Sequence, residues 1–357
     1  MTESRTIRVG VNGYGVIGKR VADAVARQVD MELVGIADVV ADWRMHAAVQ
    51  RGFRVFSPEA GRVAAMRSAG IEVAGDLVDL LEAADVIVDC TPKKVATLNV
   101  AAYRCAGRKF ILQGGEKHET TGHSFVAEAS YAGAVGRECT RVVSCNTTSI
   151  VRTLGALKRA GLLKKARGTL LRRATDPWES HFGGIMNTLV PEAKIPSHQG
   201  PDAQSVDPEL DVVTMAVKVP ETLGHLHYWS VQLTRPATKA EVLEALAASS
   251  RILLIRMDDG LEAINVVKEW MTDFGRPRGD LYEVAIWEDM LTVQGEEMFF
   301  AYMVDNQAIV IPETIDAIRA VTGAERDPAA SIRKTNEALE MPLSGARSAR
   351  RLPNPKP

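Results

Sequence analysis

Val9-Gly10-Val11-Asn12-Gly13-Tyr14-Gly15-Val16-Ile17-Gly18 sets G-x-G-x-x-G directly after a short β-type run and before an amphipathic stretch. Each glycine has its own reason in that setting. Gly13 permits the tight turn, Gly15 lets the backbone approach a pyrophosphate, and Gly18 lets the following helix pack closely on the strand. The helix N-terminus then turns its unpaired N–H groups toward phosphate oxygens. Glycines cluster in many turns, so the motif is weak alone. Between a strand at Thr6–Val11 and a helix at Lys19–Val29 it reads as a dinucleotide loop. A second strand is expected at Met31–Ala37, and Asp38 follows it, 20 residues after Gly18. An acid there accepts hydrogen bonds from the adenosine ribose. Its charge would repel a 2′-phosphate, which favours NAD, while Arg44 six residues on keeps NADP open. The plain alternative for Asp38 is a loop cap.

Working outward, strand and helix signals alternate as far as residue 145. Strands are expected at Asp85–Asp89, Lys109–Leu112 and Val142–Val143, and helices at Leu77–Ala84 and Lys94–Ala106. Such alternation predicts a parallel sheet covered by helices. Farther on the runs lengthen and alternate in polarity: Gly168–Arg173, Val212–Val219, His225–Leu233, Ile252–Ile255, Tyr282–Trp287 and Met298–Val304. Helices are expected at Lys239–Ala247, at Leu261–Thr272 and from Pro312, where Ile315, Ile318 and Val321 share one face. Asp176 to Pro208 reads as a long loop rich in Gly, Pro and His, a length that usually signals function. The expected class is α/β, a Rossmann-type doubly wound parallel sheet plus a catalytic α+β domain with a mainly antiparallel sheet. The expected boundaries are 1–142 for the dinucleotide-binding domain, 143–311 for the catalytic domain, 312–341 for helices returning to the first, and 342–357 for a mobile tail.

Composition narrows the function classes. With 357 residues, 46% hydrophobic and 25% charged, the chain has the profile of a soluble two-domain protein. A net charge of −2 gives no basic field for nucleic acid or a membrane surface. No run reaches the roughly 20 apolar residues of a membrane span, and Met1–Arg8 lacks the apolar core of a secretory signal. Cys90, Cys105, Cys139 and Cys145 form no CxxC pair, so free thiols in the cytoplasm are expected.

Cys145 stands in Ser144-Cys145-Asn146-Thr147-Thr148, between Val142-Val143, read as a strand, and Ile150–Ala156, read as the start of a helix. At such a junction the helix N-terminus favours a thiolate. The plain alternative is a small buried hydrophobe. In Leu223-Gly224-His225-Leu226-His227, strand periodicity turns His225 and His227 to the same face. A histidine near the thiol can draw its proton and then act as general acid or base at an aldehyde oxygen. A metal-binding His-x-His would need a third ligand, and no clear one accompanies it, so no metal site is expected. Arg172 and Arg173 are adjacent and face opposite ways on a strand, so only one lines a cleft easily.

Taken together these segments resemble the archaeal-type (type II) phosphorylating glyceraldehyde-3-phosphate dehydrogenases. The resemblance rests on Asn12–Arg20, Gln113-Gly114-Gly115-Glu116-Lys117, Arg141–Thr148, Arg172–Pro177, Pro196–Asp202, Val217–His227, Ile309–Glu313 and Lys334-Thr335-Asn336. It implies Cys145 as nucleophile with Ser144 and Asn146 beside it in the substrate site, and favours His225 over His227 as the base. Val16 and Ile17 would touch the dinucleotide through the glycine loop, Gly115 would approach it from a later strand end, and Arg173 would lie on its side of the cleft. His198 and Gln199 would hold the substrate phosphate. Asn306, in Asp305-Asn306-Gln307, stands where the family carries a nicotinamide-amide ligand, Gln. Family members that prefer NADP carry Lys or Thr where this chain has Ala37 and Asp38. The substrates implied are glyceraldehyde 3-phosphate and inorganic phosphate, and the assembly a homotetramer. Two rivals are a related dehydrogenase of erythrose 4-phosphate and a non-catalytic NAD-binding regulator. The regulator would be marked by a lost Cys145 or His225.

Overall fold

The computed structural model describes residues 6–113 and 115–341; Gly114 and the expected tail at 342–357 lie outside them. The chain divides into two compact units, one holding residues 6–144 and 311–340, the other 145–310 and 341.

The first unit is built on a fully parallel eight-stranded sheet in the order β4-β3-β2-β1-β5-β6-β8-β7. Its strands are β1 (Ile7–Asn12), β2 (Met31–Ala37), β3 (Val55–Ser57), β4 (Val73–Asp76), β5 (Val86–Asp89), β6 (Lys109–Leu112), β7 (Ser124–Phe125) and β8 (Cys139–Val142). The connecting helices are α1 (Val16–Ala26), α2 (Trp43–Gln50), α3 (Val63–Ser68), α4 (Leu77–Ala83), α5 (Val95–Cys105), α6 (His118–Thr121) and α7 (Ala127–Ala134). β5 is buried at every position, as expected of a parallel strand covered on both faces. Leu80, Ile87, Ala96, Tyr103 and Phe110 form part of one core cluster around it. The strand order reverses between β1 and β5, where doubly wound sheets bind ligands at the strand ends.

The second unit carries a mixed sheet, ordered β10-β11-β9-β12-β16-β14-β13 with β15 paired to β16. Its strands are β9 (Leu163–Arg173), β10 (Val190–Pro191), β11 (Val212–Val219), β12 (His225–Leu233), β13 (Ile252–Ile255), β14 (Val284–Trp287), β15 (Thr292–Gln294) and β16 (Glu297–Val304). Only the β9–β11 and β13–β14 pairings are parallel. β12 alternates buried and open positions through its centre, the mark of a strand with one covered face. Helices α8 (Cys145–Arg159), α9 (Ser180–Gly183), α10 (Gln199–Gln204), α11 (Lys239–Ala247) and α12 (Ile264–Asp273) belong to this unit. The chain then returns to the first unit through α13 (Val310–Thr322) and α14 (Pro328–Ala338). There Arg319 is buried, donating to Asp30 at 2.8 and 2.7 Å and to Gln28 at 2.8 Å. Among the described residues no helix is long and apolar enough to cross a membrane.

Several element boundaries differ from the sequence reading. α1 begins at Val16 and ends at Ala26, because Gly15 is its extended N-cap and Val29 is 98% exposed. The strand expected at Val142–Val143 lies at Cys139–Val142, and the helix expected from Ile150 starts at Cys145. The helix expected from Leu261 starts at Ile264, and the one expected from Pro312 at Val310. Pro312 falls in that first turn, where the missing N–H costs nothing. The stretch 176–208 is not one loop, since α9, β10 and α10 interrupt it.

Candidate active site

In the first unit the glycine loop is held by its own backbone. Gly13 has φ +93° and donates to Ala37 O at 2.7 Å. A Cβ on Gly13 would lie 2.8 Å from Thr91 N, and one on Gly18 1.8 Å from Gly13 O. Both glycines are therefore demanded by close packing. Gly15 differs, since nothing lies within 4 Å of where its Cβ would be. α1 has no side-chain cap and no acid in its first turn, and Gly15, Val16 and Ile17 are half-buried. An uncapped helix N-terminus behind an open glycine fits the pyrophosphate of a dinucleotide. Gly115 is exposed at φ +83° with open space around it.

Asp38 sits directly after β2 and accepts from Tyr14 N at 2.7 Å through Oδ2 and from Val39 N at 2.7 Å through Oδ1. It therefore braces the loop, the plainer of its two expected roles, and both oxygens retain lone pairs for a hydroxyl. Arg44 is held by Asp42 through Nε at 3.0 Å and Nη2 at 2.6 Å. Beneath the loop, buried Asp89 accepts from Thr91 Oγ1, Asn99 Nδ2 and Tyr103 Oη at 2.5, 2.9 and 2.6 Å.

In the second unit Cys145 opens α8 and is half-buried. Its Sγ lies 3.3 Å from Nε2 of His225, the first residue of β12. His225 Nδ1 accepts the backbone N–H of Arg173 at 3.0 Å. His227, two residues on and on the same buried face, reaches the neighbouring side chain instead. Its Nε2 is 2.8 Å from Asn146 Oδ1 and its Nδ1 is 2.9 Å from Tyr302 Oη. The two imidazoles thus meet consecutive residues at the start of α8, and only His225 meets the thiol.

Burial weighs on both partners of the pair. Burial pushes the Cys145 thiol up to about 11, against the lowering by Arg173, the Asn146 N–H and Arg172, and Asp305 adds to the rise. Desolvation of the anion opposes the helix N-terminus here. Burial also pushes His225 well below the ordinary imidazole value, helped by His227, Arg173 and Arg172. His227 is lowered to about 3 by burial and then Arg172. Both shifts favour the uncharged rings.

The arginine pair diverges as strand geometry requires. Arg173 Nη2 donates to Asp176 at 3.2 Å, and Arg172 Nη1 to Glu192 at 2.9 Å. Asp176 also accepts from Asn306 Nδ2 at 3.2 Å and Gln307 Nε2 at 2.8 Å, so it ties Arg173 to the Asp305-Asn306-Gln307 turn. The two phosphate candidates part company. His198 is exposed and lies 3.0 Å from Glu192, whereas Gln199 is fully buried with neither end of its amide hydrogen-bonded. Arg172, Glu192 and Lys218 line a cavity of about 390 Å³ with Val190, Pro191 and Val217. Sequence reading missed Asp176, Glu192 and Tyr302. Asp176, in the quoted Arg172–Pro177 segment, carried a usable signal, while Tyr302 is one aromatic of an apolar strand and carried none.

A doubly wound parallel unit with an open glycine loop, joined in one chain to a unit with a thiol–imidazole pair, defines a class: nicotinamide-dependent dehydrogenases. The comparisons narrow it. Residues 144–272 match the model of the glyceraldehyde 3-phosphate dehydrogenase C-terminal domain, and residues 7–122 match that of the dihydrodipicolinate reductase N-terminus. The glyceraldehyde-3-phosphate dehydrogenase of Methanococcoides burtonii is 46% identical over 334 residues, 93% of this chain and 98% of that protein. The enzyme of the same name from Pyrobaculum calidifontis is 45% identical over 346 residues, 96% of this chain and all of that one. That from Methanothermus fervidus is 39% identical over 334 residues, 93% of this chain and 98% of that one. The chain belongs to the glyceraldehyde-3-phosphate dehydrogenase family.

Proposed function

We propose that this chain oxidises D-glyceraldehyde 3-phosphate, with a nicotinamide dinucleotide and inorganic phosphate, to 1,3-bisphosphoglycerate. The observation that carries the reading is the 3.3 Å contact between Cys145 Sγ and His225 Nε2 in a chain of this family. Cys145 adds to the aldehyde carbon, with His225 as the imidazole partner at the sulfur and at the carbonyl oxygen. The bound nicotinamide supplies the hydride acceptor. The product on Cys145 is a thioester, whose sulfur is a good leaving group, so phosphate oxygen displaces it and the acyl group keeps its activation. Excluding water at that stage protects the thioester from hydrolysis.

Ser144 and Asn146 flank the thiol in the substrate site. His198, Gln199 and the Arg172–Lys218 cavity supply the phosphate-binding character, guanidinium being well matched to phosphate oxygens. Gly13, Gly15, Val16, Ile17, Gly18 and Gly115 take the dinucleotide backbone. Arg173 and Asn306, linked through Asp176, serve the nicotinamide end. NAD is favoured over NADP, because Asp38 puts a carboxylate beside the loop and Arg44 is engaged by Asp42. A homotetramer in the cytoplasm completes the reading. Trp178, Phe182, Met186 and Ile195, at 67–86% exposure, offer apolar area for the association.

The test is reduced-nicotinamide formation from glyceraldehyde 3-phosphate with and without phosphate. Turnover that needs phosphate is expected. Phosphate-independent turnover to a free acid would overturn the phosphorylating assignment.

A further inference from the structure

In the parallel β9–β11 ladder Arg172 stands directly opposite Lys218, so two cations share one face of the sheet. Both line the cavity of about 390 Å³. Like charges set opposite each other repel, and an anion beside them relieves the repulsion. The anion at hand is the chain's own. Glu192, the residue after β10, accepts from Arg172 Nη1 at 2.9 Å through Oε2 and from His198 Nδ1 at 3.0 Å through Oε1. One carboxylate thus spends its two oxygens on two groups expected to hold phosphate, as two phosphate oxygens would. Against the pull of burial, His198 and then Arg172 hold the Glu192 carboxyl below its usual range, which favours the charged form.

The match is incomplete on the guanidinium. Arg172 Nε is buried and meets no acceptor among the described residues. A guanidinium fork pairs best with two oxygens at once, and Glu192 gives it one. We propose that Glu192 is the resident anion of this cavity, occupying Arg172 and His198 until a phosphate group displaces it.

Only a side chain has to move. The Glu192 backbone continues the β10–β11 pairing, donating to Ala216 O at 2.9 Å. Its side chain is 28% exposed, so it can turn to water without crossing the packed interior. A phosphate dianion brings more charge and more oxygens than the carboxylate it replaces, whereas a carboxylate ligand brings neither. Glu192 therefore selects for phosphate over carboxylate and sets how tightly phosphate is held. Two sources share that chemistry: the ester phosphate of the aldehyde, and inorganic phosphate.

The proposal rests on the cavity taking phosphate, and the variants separate the two claims. Glu192→Gln keeps the shape and removes the charge. It should lower a KM about tenfold, the worth of a part-exposed charge-assisted pair, and the change should fall on KM and not on kcat. A lower KM for glyceraldehyde 3-phosphate puts the ester phosphate in the cavity, and a lower KM for inorganic phosphate puts that ion there. Calorimetry on the full-length, cofactor-free enzyme with glycerol 3-phosphate and with inorganic phosphate should show the same gain for the same source.

Loss of any nearby negative charge also tightens anion binding, so Arg172→Gln supplies the control. With Arg172 gone, adding Glu192→Gln should change kcat/KM by less than about twofold, because the competition runs through the guanidinium. An equal gain in both backgrounds, or an unchanged or higher KM in Glu192→Gln alone, overturns the proposal. Should Arg172→Gln leave both KM values at wild type, the phosphate reading of the cavity fails and the proposal with it.

Discussion

Asp38→Ala isolates a residue with two expected jobs. The substitution removes the carboxylate that accepts Tyr14 N at 2.7 Å and Val39 N at 2.7 Å. Tyr14 is 2% exposed, so its side of the brace is dry, whereas Val39 is 40% exposed and its N–H can turn to water. Hydrogen bonds to a charged acceptor are worth about 1.5–3 kcal/mol each when desolvated. With the exposed side recovered by solvent, the net loss is about 1.5–3 kcal/mol. For a unit of this size that lowers the unfolding midpoint by roughly 3–12 °C. Asp38→Asn keeps one acceptor and should lose about half as much. Differential scanning calorimetry reads the stability, and fluorescence titration with the reduced forms of NAD and NADP reads the binding. Both variants should also narrow the preference for NAD, through weaker NAD binding and loss of the charge that repels a 2′-phosphate. A D38A protein as stable as wild type would refute the brace, and an unchanged preference would refute the ribose role.

Other expectations follow from the same geometry. Cys145→Ser should abolish turnover and leave cofactor titration unchanged; retained turnover would contradict the thiol mechanism. His225 and His227 are held neutral in the folded state, while unfolded histidines take protons below about pH 6.5. Their contribution to stability is thus complete above that pH and is lost as pH falls from 6.5 toward the folded values, about 3 for His227. The unfolding constant should rise up to about tenfold per pH unit for each ring. Urea melts from pH 7 to 5 on wild type and H227N should differ by one such slope, and parallel slopes would contradict it. Glu283→Ala leaves buried Arg276 without its carboxylate partner, now at 2.6 and 2.7 Å, and should cost about 3–5 kcal/mol in urea unfolding; a loss below 1 kcal/mol would be inconsistent with this ion pair. If the proposed homotetramer uses that surface, serine at both Trp178 and Phe182 should shift sedimentation to smaller species, and an unchanged sedimentation coefficient would count against it.

Much of the fold could be read from the chain because its signals were local. β2, β6, β11, β12, α11 and β13 lie at their expected residues: the strands carry apolar or alternating runs, and α11 an apolar stripe with Val242 and Leu246 behind a Thr238 capping box. β3 and β7 escape a sequence reading, since strands of two or three residues carry too little periodicity, and β4 offers no apolar run, Val73 being its one buried residue. α2 has an Asp42 cap but only Met45 and Ala48 buried, so its apolar stripe is faint. At the site, periodicity put both histidines on one face, yet nothing local distinguished them. That distinction arises from β12 register against β9 and from where α8 begins, which are tertiary facts. The opposing pull of burial on the Cys145 thiol is invisible locally for the same reason, because burial depends on neighbours distant in sequence.

The most direct measurement of the central claim is a single mixing of enzyme, oxidised cofactor and glyceraldehyde 3-phosphate with phosphate withheld. One equivalent of reduced nicotinamide per active chain should form rapidly, and mass spectrometry should find one acyl group on the peptide bearing Cys145, released when phosphate is added. Reduced cofactor without an adduct, or an adduct on Cys90, Cys105 or Cys139, would contradict the account.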